Sequence, residues 1–166
     1  MIRRLITAIG EDGNSVFLED KYISSINPYP EFPRFSLTDL FYTEQNPQSL
    51  DLQEKQQPFQ LDMPPGSFRC CVCHIPPMAD LLVDFIEYTK QTGGVLPENK
   101  EDFMLHKTHS IDYVYVLKGE VFLRLNNNNE RLLKQGDFVI QKGAVHSWNN
   151  RTLEQCDILG IMVGAT

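Results

Sequence analysis

The chain has 166 residues, the size of one ordinary domain, and carries 15 Lys and Arg against 22 Asp and Glu, a formal net charge of −7. That balance argues against a nucleic-acid binder, which needs a basic face for phosphates. Hydrophobic residues at 42% and charged residues at 22% are unlike a disordered chain. No run approaches the roughly 18 apolar residues of a membrane span. The apolar stretch after Arg3-Arg4 is cut off by Gly10-Glu11-Asp12, too early for a signal peptide. These features predict a soluble cytoplasmic protein with reduced cysteines, no membrane partner and no nucleic-acid partner.

In chain order, residues 2–9 read as a strand, Glu11-Asp12-Gly13-Asn14 as a turn, and Ser15 to Leu18 as the partner strand. Pro28, Pro30 and Pro33 forbid regular structure over 27–34, and Phe35 to Thr43 reads as another strand. The Gln-rich stretch 44–58 is expected to form a loop or short helix. Phe68 to Ile75 is a strand between two proline pairs. A helix is predicted over Ala79 to Gln91, with Leu82, Phe85, Ile86 and Thr89 on one face. Asp80 and Asp84 favour its start, Lys90 favours its end, and Gly93-Gly94 stops it before a polar connector over 94–102. Beyond Phe103 the pattern is all β: Val114 to Leu117, Val121 to Leu125, Arg131 to Lys134, Phe138 to Gln141, 144–149 and 156–163. Turn signals at Lys118-Gly119, the asparagines 126–129, Gln135-Gly136-Asp137 and Lys142-Gly143 separate these strands. Short strands at such intervals mean an antiparallel sandwich or barrel.

Cys70-Cys71-Val72-Cys73-His74 invites a metal reading, but zinc pairs are normally spaced Cys-x₂₋₄-Cys with a second pair elsewhere. As a strand the segment puts Cys71 and Cys73 on one face and Cys70 and His74 on the other, where thiols pack as small hydrophobes. The stronger constellation is His106-Lys107-Thr108-His109-Ser110-Ile111-Asp112 with His146. An unbroken strand would set His106, Thr108 and Asp112 on one face and turn His109 away. A neighbouring strand would bring His146 opposite His106. Two imidazoles and one carboxylate match the ligand chemistry of a divalent transition metal.

Residues 103–163 resemble a cupin domain. His106, with Thr108 at the second-histidine position, Asp112 at the glutamate position and Gly119 as closing glycine, parallels the first cupin motif. Gly136, Gly143, His146 and Asn150 parallel the second, with Gln141 at the proline position and one residue missing before it. The match is closest to a subgroup whose motifs read like His-Arg-Thr-x-x-Ile-Asp-Tyr and Gly-Asp-x-x-x-Gln-x-Gly-x-x-His-x-Trp. The N-terminal Arg3-Arg4-Leu5-Ile6-Thr7 and Gly13 to Phe17 also look like that subgroup.

The resemblance implies an all-β, double-stranded β-helix (jelly-roll barrel) with one inserted helix, as a single domain and a homodimer. Within it, 1–63 would be N-terminal strands and an irregular arm, 64–77 a barrel strand, 78–102 a helical insertion and 103–163 the cupin core. The inserted helix would pack on the sheet, close the barrel mouth as a lid, or contact another subunit. The expected function is a metal-dependent dioxygenase, decarboxylase or isomerase on a small organic molecule. His106, Asp112 and His146 would hold Fe, Zn, Mn or Ni, and Thr108, Tyr115, Gln141 and Trp148 would line the ligand pocket. Two other readings stand beside it. One is a non-catalytic binding or sensing module. The other is a metal-free isomerase or cyclase with His106 or His146 as general base.

Overall fold

The structure is a computed structural model and describes residues 1–45, 54–55, 58–92 and 102–166. The described residues form ten strands, one α-helix and a single 3₁₀ turn. The expected stop at Gly93-Gly94, most of the connector and most of the 44–58 stretch lie outside them.

β1 (Ile2–Ile9) and β2 (Ser15–Ile23) make an antiparallel hairpin that is a sheet of its own. Its turn is held by Asp12 Oδ1, which accepts from the Asn14 amide at 3.0 Å. β2 runs five residues past the expected Leu18 because its charged continuation pairs across the hairpin. Arg4 bonds Glu19 and Arg3 bonds Asp20, each at 2.6 Å. Arg4 also ties the hairpin to the body through the Leu40 carbonyl and Glu54.

The body is two antiparallel sheets. One has the order β3-β4-β10-β5-β8: β3 (Ser36–Thr43), β4 (Phe68–Ile75), β10 (Cys156–Gly164), β5 (Ser110–Lys118) and β8 (Phe138–Lys142). The other has the order β7-β6-β9: β7 (Glu130–Lys134), β6 (Glu120–Leu125) and β9 (His146–Asn149). Alternation decides which side chains face inward. On β5, Ser110, Asp112, Val114 and Val116 are buried while Tyr113, Tyr115 and Leu117 are exposed. The inner faces meet in a cluster of Val114, Val116, Val121, Cys156 and Ile158. This is the antiparallel sandwich the strand pattern implied, in the jelly-roll form the cupin resemblance implied. The body begins earlier than the expected boundary at 64, because β3 pairs with β4 from Ser36 to Thr43. Gly119, at φ 78°, turns β5 into β6, where a Cβ would stand 3.2 Å from Cys156 Cα.

Helix α1 (Met78–Thr92) follows Pro76-Pro77, and the Met78 amide donates to the Asn150 carbonyl at 2.6 Å, tying the helix start to the body. Its buried residues are Leu81, Asp84 and Thr89, and Phe85 packs on the core, so the inward face keeps Phe85 and Thr89 of the expected four but takes Leu81 and Asp84 in place of Leu82 and Ile86. Asp84 is buried there as the partner of Arg34, whose Nη1 lies 2.5 Å from Asp84 Oδ1. Asp84 therefore serves a tertiary ion pair as well as the helix dipole. Leu81 reaches the main core. Phe85 stacks on Phe103 at 5.1 Å and on Phe32 at 6.0 Å.

Candidate active site

A cavity of about 250 Å³ opens between the sheets. One wall is aromatic: Tyr29, Phe32, Phe35, Phe59, Phe103 and Trp148. The polar groups on its lining include His106, Thr108, Asp112 and His146, with the thiols of Cys71 and Cys73 nearby. Phe85 touches the aromatic wall from behind, so α1 backs this cavity.

His146 opens β9. His106 belongs to no strand, and β5 starts only at Ser110, so the expected unbroken strand is interrupted. The two histidines instead pair through their own backbones. Each amide donates to the other's carbonyl at 2.9 Å, and the ring centroids stand 4.4 Å apart. His109 faces away, as parity predicts: it is exposed and bonds Asp62 Oδ1 at 2.9 Å.

Each imidazole is anchored in the same way. His106 Nδ1 donates to the Met104 carbonyl at 2.9 Å, and His146 Nδ1 donates to the Ala144 carbonyl at 2.8 Å. These partners assign the proton to Nδ1 and leave Nε2 as the basic atom of each ring. The same second-atom anchoring orients imidazoles that ligate metals or move protons. Burial, and then the neighbouring His106, push His146 down to about 4, while the Ala144 carbonyl opposes them. His146 is therefore neutral at physiological pH.

Asp112 is buried. Its Oδ2 accepts from Thr108 Oγ1 at 3.2 Å, and among the described residues its Oδ1 has no hydrogen-bond partner. Burial raises its carboxyl above the usual range, against the pull of the Ser110 and Thr108 hydroxyls and of His106. The donor types suit a divalent metal: two imidazoles anchored at Nδ1 and a buried carboxylate. The spacing does not. Among the described residues no three His, Cys, Asp or Glu side chains stand close enough together to hold an ion.

Of the expected pocket residues, Thr108 and Trp148 line the cavity, and the Trp148 ring meets His146 edge-on at 5.6 Å. Gln141 stands behind the site, its Nε2 donating to the Ala144 carbonyl at 2.8 Å beside His146 Nδ1. Tyr115 is not a pocket residue. The period of β5 sends it to the outer face, 39% exposed. Sequence reading missed the wall of Tyr29, Phe32 and Phe35. The signal was three aromatics among prolines that fit no strand or helix.

A second histidine cluster lies on the outer face of the large sheet. His74 Nδ1 is 2.8 Å from Asp157 Oδ1, and Nε2 is 2.9 Å from Thr38 Oγ1. Thr38 is fully buried, so no substrate reaches its hydroxyl.

No family model matches the chain. It is 47% identical over 49 residues to the phomopsin biosynthesis cluster protein C′ of Diaporthe leptostromiformis. That match covers 30% of this chain and only 26% of the relative, so the chain corresponds to about a quarter of that protein's length. The fold is that of a Schizosaccharomyces pombe cupin domain, with a TM-score of 0.51 and 12% identity over 98% of this chain and 87% of that one. Identity to the cupin-domain-containing oxidoreductase srdD of Neurospora crassa is 26% over 157 residues, covering 91% of this chain and 67% of the relative. The relatives and the shared fold support assigning the chain to the cupin superfamily. In this cupin both motif histidines reach the cavity, while the second-histidine position holds Thr108 as a hydrogen-bond donor to Asp112.

Proposed function

We propose that this cupin is an enzyme acting on a small, largely apolar, ring-bearing molecule, and that its own side chains move the proton. The observation that carries the reading is the pair of Nδ1-anchored imidazoles, whose Nε2 atoms are left free on the lining of one aromatic cavity. A neutral His146 is a competent base. Its Nε2, or that of His106, takes a proton from a carbon or hydroxyl of the bound ligand. Asp112, electrostatically coupled to His106, favours the imidazolium that forms there. The imidazolium so formed returns its proton to another atom of the same ligand, so isomerisation or cyclisation is the reaction class that fits. The aromatic wall orients a flat substrate and keeps water away from the polar end.

A second reading is favoured by the partnerless Asp112 Oδ1. His106, His146 and Asp112 carry the donor types of Fe, Zn, Mn or Ni, whose Lewis-acid or redox chemistry would need the three drawn closer together than they stand among the described residues. The oxidoreductase name of the Neurospora crassa relative supports that reading.

The test is solvent-deuterium incorporation into a panel of aromatic carbonyl compounds, with metal-stripped and metal-loaded protein. Incorporation by stripped protein, lost in His106→Gln and His146→Gln, is expected. Turnover only after loading with one stoichiometric metal moves the function to the second reading. Binding without turnover under either condition makes the cavity a sensor and ends both.

A further inference from the structure

Arg69 lies on the inner face of β4, two residues before the cavity-lining Cys71, and is 1% exposed. A guanidinium removed from water normally spends its donors on a carboxylate in forked geometry. This one does not. Its Nε has no hydrogen-bond partner and lies 3.6 Å from Asp39 Oδ1, itself buried and unbonded. Nη1 reaches the Gln60 carbonyl only at 3.4 Å. The rings of Tyr42 and Phe59 lie 4.5 and 4.8 Å from its central carbon. Burial raises the Asp39 carboxyl against the pull of Arg69, so that anion is itself poorly solvated. A buried cation this loosely compensated favours a further anion.

Its place in the sheet says where that anion comes from. Across the strands, Arg69 pairs with Met162, and Met162 pairs with Asp112. Arg69 and Asp112 thus share one rung, two strand spacings or roughly 10 Å apart, with Met162 between them. Met162 and Phe59 both line the cavity, so the guanidinium stands directly behind its floor. Because the guanidinium is buried, its field is screened less there than it would be in water.

We propose that Arg69 is the residue through which the cavity selects a ligand bearing a carboxylate, held over Met162 between Arg69 and Asp112. The ligand class is then an apolar or aromatic carboxylic acid, its ring against the aromatic wall. This rests on reading the cavity as a small-molecule site, and it adds a specificity determinant outside the two cupin motifs.

The test compares 4-phenylbutyrate with its neutral amide, reading affinity from the emission of Trp148, the only tryptophan, and from titration calorimetry. The wild-type protein is expected to bind the acid about tenfold or more tighter than the amide, through the attraction of a nearby buried cation for the ligand's charge. Arg69→Met is expected to equalise the two while leaving amide affinity in place, and Arg69→Lys to keep part of the preference. Equal wild-type affinities overturn the proposal even if the variants do not fold, and leave the cavity reading standing. A preference that survives Arg69→Met also overturns it, assigning the selectivity to the histidines. Binding of neither probe removes the cavity reading and this proposal with it.

Discussion

Two histidine clusters sit on opposite faces of the same sheet system, and their difference lies in how many ring nitrogens are spoken for. On the outer face His74 uses both, one toward Asp157 and one toward Thr38. In the cavity His106 and His146 use only Nδ1, each on a backbone carbonyl. With both nitrogens satisfied and its hydroxyl partner buried, the His74 ring ties β3, β4 and β10 together. A ring anchored at one nitrogen and free at the other can bind or move something. The outer cluster has the outline of a hydroxyl–imidazole–carboxylate triad, yet its hydroxyl is sealed from substrate. The cavity pair has no such outline, yet it faces space.

Substituting the cavity pair is the most forceful way to test that contrast. His106→Gln and His146→Gln are each expected to lower turnover by about 10²–10⁴-fold, the usual worth of a general base. Circular dichroism should stay native, because the backbone bridge between the two positions survives.

The next effect is on pH. Unfolded, His146 titrates at its ordinary 6.5; folded, burial pushes it down to about 4. Between those values the unfolded chain holds a proton the folded chain lacks, so stability falls as pH drops from 7 toward 4, by about 3 kcal/mol at most. Asp112, raised by burial, works in the opposite sense at the acid end of that window. Urea melts at pH 7 and pH 5 should therefore show a loss in the wild-type protein and a smaller one in His146→Gln.

Breaking the outer cluster should move stability and nothing else. His74→Leu leaves the buried Thr38 hydroxyl unpaired, at a cost of about 1–3 kcal/mol in a denaturant melt. Ligand affinity read by Trp148 should not change. The smallest expectation concerns Tyr115→Ala. With that ring on the outer face, ligand affinity should stay within about twofold, a difference below 0.5 kcal/mol. A larger loss would return Tyr115 to the site.

How much of this was legible in the chain follows from range. The strands were legible because period-2 alternation and turn residues act locally, and β4 falls where its flanking prolines put it. His106, Thr108 and Asp112 reached one cavity as parity suggested, though through a bridge and a separate strand. What depended on distant partners was hidden. The inward turn of Asp84 needed Arg34, fifty residues away. The length of β2 needed the arginines of β1. Tyr115 was misplaced because an aromatic near a site looks the same from either face of a strand; only the inward position of Asp112 settles which face is which. The aromatic wall was hidden because a loop has no period to read.

The His106–His146 backbone bridge has one more consequence. The peptide groups themselves, and not the imidazoles, set the distance between these two positions. The pair therefore behaves like two sockets on a fixed frame. Whatever side chains are installed there project from the same separation toward the same space. The chemistry of this barrel can change by exchanging two residues while the frame that aims them stays as it is.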